Sequence, residues 1–244
     1  MQGVLYVSHG SRVAKAVEEA TSFIELVQAQ VDVPLQEICF LELAEPDISQ
    51  GFQKLVNQGA NEIAIIPVLL LSAGHYYKDI PEEIEYSQQQ FPQVKIVYGQ
   101  PLGVQARLTE ILKQRLEKVD ITPNSDAKLL IIGRGSYNPQ TKKDFSIIKS
   151  QLSAMLPSNN ISVCYLAACE PLFEDALNHA VDEGYSQIFI LPYIWFTGIL
   201  DQYIAKVVND YQKKSDIILT EHLSHHEHLQ TALKERVEEA FQNI

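Results

Sequence analysis

Apolar residues in this chain fall into short continuous runs separated by longer amphipathic stretches. VLYV (4–7), AIIPVLL (64–70) and LLII (129–132) lack the alternation of a half-exposed strand. Runs of this kind, bounded by polar segments, mark parallel strands covered on both faces. The pattern predicts strands near 3–8, 35–41, 61–70 and 94–98, then near 128–133, 161–166, 186–193 and 216–220. Amphipathic segments between them predict helices near 12–30, 46–58, 78–90, 104–119, 138–156, 171–183, 200–213 and 226–242. Strand–helix–strand repetition calls for right-handed crossovers in an open parallel sheet.

This order is run through twice. GVLYVSHGSR (3–12) returns as KLLIIGRGSY (128–137), ICFLELAEPDISQG (38–51) as VCYLAACEPLFEDA (163–176), and GANEIAIIPVL (59–69) as GYSQIFILPYI (184–194), each 125 residues later. EILKQRLEKV (110–119) returns as TALKERVEEA (231–240) with an offset of 121. The expected fold class is therefore α/β: two tandem flavodoxin-like domains, each a four-stranded parallel sheet flanked by helices, related by internal duplication. Their expected limits are 1–120 and 125–244, joined by the polar linker VDITPNSDA (119–127).

A duplication separates scaffold from chemistry. Positions kept in both copies are mostly apolar, Gly or Pro, whereas His9 becomes Arg134, Glu42 becomes Ala167 and His75 becomes Leu200. Ligands of open parallel sheets meet beyond the carboxyl ends of the strands. His9 follows the first predicted strand, Glu42 the second, His75 the third, and GQPLG (99–103) the fourth, so all four loops share one sheet edge in the first half. Two imidazoles and a carboxylate suit a borderline divalent ion such as Fe²⁺, Co²⁺ or Ni²⁺. An imidazole equally serves as a proton acceptor near neutral pH. Gly10 allows the sharp turn and close approach that such a site needs.

Basic and hydroxyl groups surround these positions, Ser8, Ser11 and Arg12 at the first histidine and Ser72, Tyr76, Tyr77 and Lys78 at the second, with Gly10, Ala73 and Gly74 as further expected substrate contacts. Arg134 and Ser136 occupy the matching loop of the second half. On a chain of net charge −12 they point to an anionic ligand. The same net charge argues against a nucleic-acid-binding surface. The longest apolar run, 63–71, is too short to cross a bilayer, and no signal segment is visible. Three cysteines form neither a disulfide framework nor a zinc knuckle, so a cytoplasmic location is expected. His222, His225, His226 and His228 make a second candidate metal cluster, while His179, on a predicted helix, is read as structural. A phosphate-binding P-loop and the G-x-S-x-G elbow are absent, and G-R-G-S-Y-N (133–138) lacks the third glycine of a dinucleotide fingerprint.

SHGSR after the first strand, LELAEP after the second and PVLLLSAGHYYKDIP after the third together resemble the class II chelatases, specifically the two-domain sirohydrochlorin chelatases. The resemblance covers essentially the whole chain. It implies that His9 and His75 are the catalytic, metal-handling pair, that Glu42 assists them, and that the second half has degenerated. It further implies insertion of a divalent metal into sirohydrochlorin, with iron favoured and sirohaem as product. The metal is then a substrate, with no permanently bound cofactor, and the chain acts as a monomer that is its own pseudo-dimer. Cobalt insertion on the way to cobalamin is the first alternative, and a tetrapyrrole or metal carrier without turnover the second. A histidine phosphatase is disfavoured because Ser8 stands where its R-H-G motif needs Arg.

Overall fold

The computed structural model describes residues 1–72, 74–156, 160–212 and 216–242. The described strands form two four-stranded sheets with parallel pairing throughout. In the first sheet β1 (Gln2–Ser8), β2 (Leu35–Phe40), β3 (Glu62–Pro67) and β4 (Lys95–Tyr98) are ordered β2-β1-β3-β4. The central strands β1 and β3 are buried on both faces, whereas the edge strands β2 and β4 are only partly covered. Continuous apolar runs in the sequence are thus the central strands. Register places Ser8 opposite Phe40, and Val7 opposite Pro67, so β1, β2 and β3 finish nearly level.

Helices α1 (Ala14–Gln28), α2 (Ile48–Asn57) and α3 (Ile80–Gln90) connect these strands. Phe52 and Leu55 of α2 and Ile80 of α3 pack with Leu5, Val7, Ile63 and Ile65 of the sheet in one buried cluster. Asp47 starts α2 through a capping box: its side chain accepts from the Gln50 N–H, and Gln50 accepts from the Asp47 N–H. The second sheet, β5 (Lys128–Gly133), β6 (Asn160–Tyr165), β7 (Gln187–Pro192) and β8 (Asp216–Leu219), has the matching order β6-β5-β7-β8. Its helices are α5 (Gln140–Met155), α6 (Phe173–Asp182) and α7 (Ile199–Tyr211). Phe173 and Leu177 of α6 and Ile204 and Val208 of α7 fill the core cluster equivalent to that of the first sheet. The predicted α/β class and duplicated sheets are observed.

The compact units do not coincide with the sequence halves. Met1–Gly103 is completed by α8 (Glu227–Gln242), which packs on α1, β3 and β4. Val104–His226 includes α4 (Ala106–Glu117), which packs on α5 and β7. Each repeat therefore gives its last helix to the other repeat's sheet. Equivalent arginines fasten both helices. Arg236 Nη2 donates to the Leu102 carbonyl at 2.7 Å, and Arg115 Nη2 donates to the Leu223 carbonyl at 2.9 Å. Arg115 is buried, whereas its ion-pair partner Glu221 is 71 % exposed, so the carbonyl bond carries most of the anchoring. Arg115→Ala is expected to lower stability by about 1–3 kcal/mol, read as a shift in the urea midpoint.

Among the predicted boundaries that differ, two bear on the site. The third strand, expected to reach residue 70, ends at Pro67; beyond it the Leu69 and Leu70 carbonyls accept from the Leu102 and Gly103 N–H groups. The apolar run thus continues as an anchored loop. The third helix, expected to begin near 78, is preceded by a π turn at His75–Asp79 that runs directly into α3. Cys39 and Cys164 sit at equivalent, fully buried strand positions. Burial pushes the Cys164 thiol up to about 12 and the Cys39 thiol well above its ordinary value, as core residues rather than reactive groups. No helix among the described residues is long and apolar enough to cross a membrane.

Candidate metal centre

The centre is assembled at the carboxyl ends of β1, β2 and β3. The chain reverses direction in strand order between β1 and β3, and the crevice at such a switch point is where open sheets bind ligands. Beyond β1 the loop is stitched to the loop beyond β2. Leu41 N–H donates to the Ser8 carbonyl at 2.8 Å, and Glu42 N–H donates to the His9 carbonyl at 3.1 Å. Gly10 makes this approach possible. It has φ +87°, and a Cβ there would lie 1.8 Å from the Glu42 carbonyl oxygen. His9 and Glu42 are thereby held side by side, with His9 Nε2 3.3 Å from Glu42 Oε1.

His75 arrives from the far side of β1. It opens the π turn, whose closing hydrogen bond runs from Ile80 N–H to the His75 carbonyl. Pro81 accounts for the wider turn: it has no N–H to donate, and its ring would clash with the carbonyl four residues back in a regular helix. Tyr98 stacks on Tyr76 at 4.9 Å and donates its hydroxyl to the Tyr76 carbonyl at 3.0 Å, fixing the turn to β4. The His9 and His75 rings meet edge to face, 4.6 Å between centroids.

Ligand atoms of His9, Glu42 and His75 all lie within 4.8 Å of one another, and these are the only three residues grouped in this way among those described. Hydrogen bonding sets their character. His9 Nδ1 lies 3.1 Å from the Gly10 carbonyl, and His75 Nδ1 lies 2.6 Å from Asp79 Oδ2. Each Nδ1 faces an acceptor, so each neutral ring carries its proton there and presents Nε2 as a lone pair. Two such lone pairs and a carboxylate converging without a hydrogen-bond donor among them are a donor set that could hold a cation. Nitrogen and oxygen donors in this number suit a borderline divalent ion with positions left for other ligands.

The remaining predicted residues are distributed as follows. Ser8 is buried as the last residue of β1. Ser11 Oγ accepts from Val13 N–H at the start of α1. Arg12, Gly74 and Lys78 are exposed, and Ser72 and Tyr76 are partly exposed. Burial and the neighbouring Tyr77 raise the Tyr76 phenol above its ordinary value, so it stays protonated at neutral pH. Ala73 lies outside the described residues. His222 pairs with Asp201 at 3.7 Å and His226 with Gln114 at 2.7 Å, and the second histidine cluster forms no metal-holding group among the described residues. His179 pairs with Glu183 on the surface of α6. Asp79 was not singled out by the sequence reading; the H-x-x-x-D spacing on a helix was the available signal.

The second repeat keeps the backbone of this centre and none of its ligands. Ala167 N–H donates to the Arg134 carbonyl at 3.0 Å, Gly135 has φ +85°, and a Cβ there would again fall 1.8 Å from a carbonyl oxygen, that of Ala167. Leu43 and Ala168, also equivalent, share positive φ values of 64° and 61°. Arg134 is exposed, and Ser136 Oγ accepts from Asn138 N–H. The loop geometry therefore belongs to the scaffold, and the ligating side chains are a property of the first repeat.

Comparison with known proteins agrees with the duplication. The CbiX family profile matches residues 3–119 and again 128–240. The sirohydrochlorin ferrochelatase of Priestia megaterium is 42 % identical over 97 % of this chain and 90 % of its own length. Among solved structures, SirB from Bacillus subtilis with Fe³⁺ superposes with a TM-score of 0.90 at 39 % identity, covering 99 % of this chain and 96 % of that one. A sirohydrochlorin chelatase SirB from Bacillus subtilis subspecies spizizenii in complex with cobalt gives 0.86 at 36 % identity, with 99 % and 96 % covered. With both repeats matched and the metal-ligand constellation in the first, this chain belongs to the CbiX family.

Proposed function

We propose that this protein is a sirohydrochlorin ferrochelatase: it inserts Fe²⁺ into sirohydrochlorin and releases sirohaem. The observation that carries the reading is the convergence of His9, Glu42 and His75 at the β1–β3 switch point. The ferrochelatase name of the Priestia relative supports iron over cobalt. Insertion exchanges one divalent ion for two pyrrole protons. While the metal is held, the Nε2 lone pairs of His9 and His75 are its ligands. When it passes to the macrocycle nitrogens, those lone pairs are released and accept the two departing protons, so the net charge of the pocket is unchanged. Both roles need neutral imidazoles. Glu42 lowers the cost of holding a dication and shares the proton load.

Sirohydrochlorin carries carboxylates around its rim. Arg12 and Arg134, on the loops after β1 and β5, and Lys78, in the π turn, are exposed cations suited to charge-assisted hydrogen bonds with them. Gly10, Gly74, Ser11, Ser72, Tyr76 and Ser136 are the further proposed contacts. Arg134→Ala is expected to raise KM for sirohydrochlorin about tenfold with kcat nearly unchanged, measured by steady-state kinetics. We further place the protein in the cytoplasm, where three free thiols persist, and as a monomer whose two repeats make an internal pseudo-dimer.

The test is anaerobic absorbance of sirohydrochlorin with substoichiometric protein and either Fe²⁺ or Co²⁺. Multiple turnovers faster than the spontaneous reaction, with Fe²⁺ preferred, support the reading. Faster turnover with Co²⁺ replaces it by a cobaltochelatase. A spectral change that stops at one macrocycle per chain replaces it by a carrier.

A further inference from the structure

We infer that Asp79 is a positioning residue for metal capture: it holds His75 in the orientation and tautomer that present Nε2 to the ion. This rests on the reading of His9, Glu42 and His75 as the metal-handling set. The first observation is geometric. Asp79 Oδ2 lies 2.6 Å from His75 Nδ1, the distance of a charge-assisted hydrogen bond, and Asp79 is itself outside the set of converging ligands. A carboxylate that accepts from the non-ligating nitrogen of a metal-binding histidine fixes the ring and strengthens its donor.

The second observation is how the pair is built. His75 and Asp79 are the first and last residues of the π turn, which Pro81 imposes on the start of α3. π turns of this kind cluster at functional sites because they aim side chains that a regular helix would not.

The third observation comes from the other repeat. The core residues Ile80 and Ile204 and the N-cap glycines Gly74 and Gly198 align this segment one residue short of the uniform offset that pairs His75 with Leu200, so His75 corresponds to Ile199, Asp79 to Tyr203 and Pro81 to Ala205. There α7 runs as an ordinary α-helix from Ile199, and Tyr203 is exposed and donates its hydroxyl to Glu174. The imidazole, its carboxylate and the widened turn were lost together, while the fold around them was kept. The scaffold therefore has no need of an acid at this position, and Asp79 belongs with His75.

The test uses the full-length protein as wild type, Asp79→Ala, Asp79→Asn and His75→Ala. Each is titrated with Co²⁺ through its visible d–d absorption, and KM is measured separately for metal and for sirohydrochlorin. Asp79→Ala is expected to weaken Co²⁺ binding and raise the metal KM by about 10–100-fold, with KM for the macrocycle unchanged. Asp79→Asn, whose amide oxygen still accepts from Nδ1–H, is expected to recover most of that loss. Unchanged Co²⁺ affinity in Asp79→Ala, alongside its loss in His75→Ala, overturns the positioning role and leaves the metal site standing. A parallel loss of metal and macrocycle affinity with a lowered melting temperature, not rescued by Asn, makes Asp79 merely structural and also overturns it. If His75→Ala binds Co²⁺ as wild type does, the metal-site reading falls and this inference falls with it.

Discussion

His9→Ala and His75→Ala are each expected to lower the rate of metal insertion by about 10³-fold or more while leaving the fold intact. In the proposed mechanism each imidazole serves twice, first as ligand and then as proton acceptor, and loss of a positioned proton acceptor alone costs about 10²–10⁴-fold. Neither ring is part of a core: their side chains are 29 % and 24 % exposed. Removing them leaves the Gly10 carbonyl and the partly exposed Asp79 carboxylate to accept from water instead, so stability is expected to move by no more than about 0.5 kcal/mol. Single-turnover kinetics under anaerobic conditions, with thermal melts of the same samples, separate the two effects. A variant lacking both histidines that still turned over at the wild-type rate would remove the chemical basis of the site.

The second large effect comes from one added methyl group. In Gly10→Ala the new Cβ lands 1.8 Å from the Glu42 carbonyl oxygen, on a residue held at φ +87°. The loops after β1 and β2 must separate, at an expected cost of about 2–4 kcal/mol. Because His9 and Glu42 are carried on those two loops, metal affinity is expected to fall as well. Gly135→Ala provides the control, since its Cβ meets the Ala167 carbonyl at the same 1.8 Å. It is expected to cost similar stability but to leave Co²⁺ affinity per folded molecule unchanged. Chemical denaturation and Co²⁺ titration on both variants check this. Equal losses of affinity would mean that the second repeat shares in metal capture.

Much of this arrangement is legible in the sequence. Continuous apolar runs gave the parallel strands, and the changes at positions 9, 42 and 75 between repeats singled out residues that do converge. Asp79 escaped notice because its partnership depends on a helix that begins at His75, and a sequence window read for amphipathic periodicity starts that helix later. The histidine-rich segment shows the opposite limit. Proximity in sequence is not convergence in a loop, and His222 and His226 turn to different partners, Asp201 and Gln114. The trading of α4 and α8 was invisible because the two helices are copies. An apolar stripe says that a helix packs on a sheet, and identical stripes cannot say on which one.

That trade has a consequence during synthesis. The sheet that carries His9, Glu42 and His75 is complete as a polypeptide by Gly103, yet the helix that covers β3 and β4 beside α1 starts at Glu227. At about 5–20 residues per second, the ribosome needs on the order of ten seconds to make the intervening stretch. Through that interval the nascent first sheet keeps an apolar flank open, with α4, the repeat counterpart of the missing helix, the first segment able to occupy it. Folding in the cell therefore includes a choice between adjacent and distant partners, and chaperones that shield nascent apolar surfaces have their longest window on the half of the molecule that carries His9, Glu42 and His75.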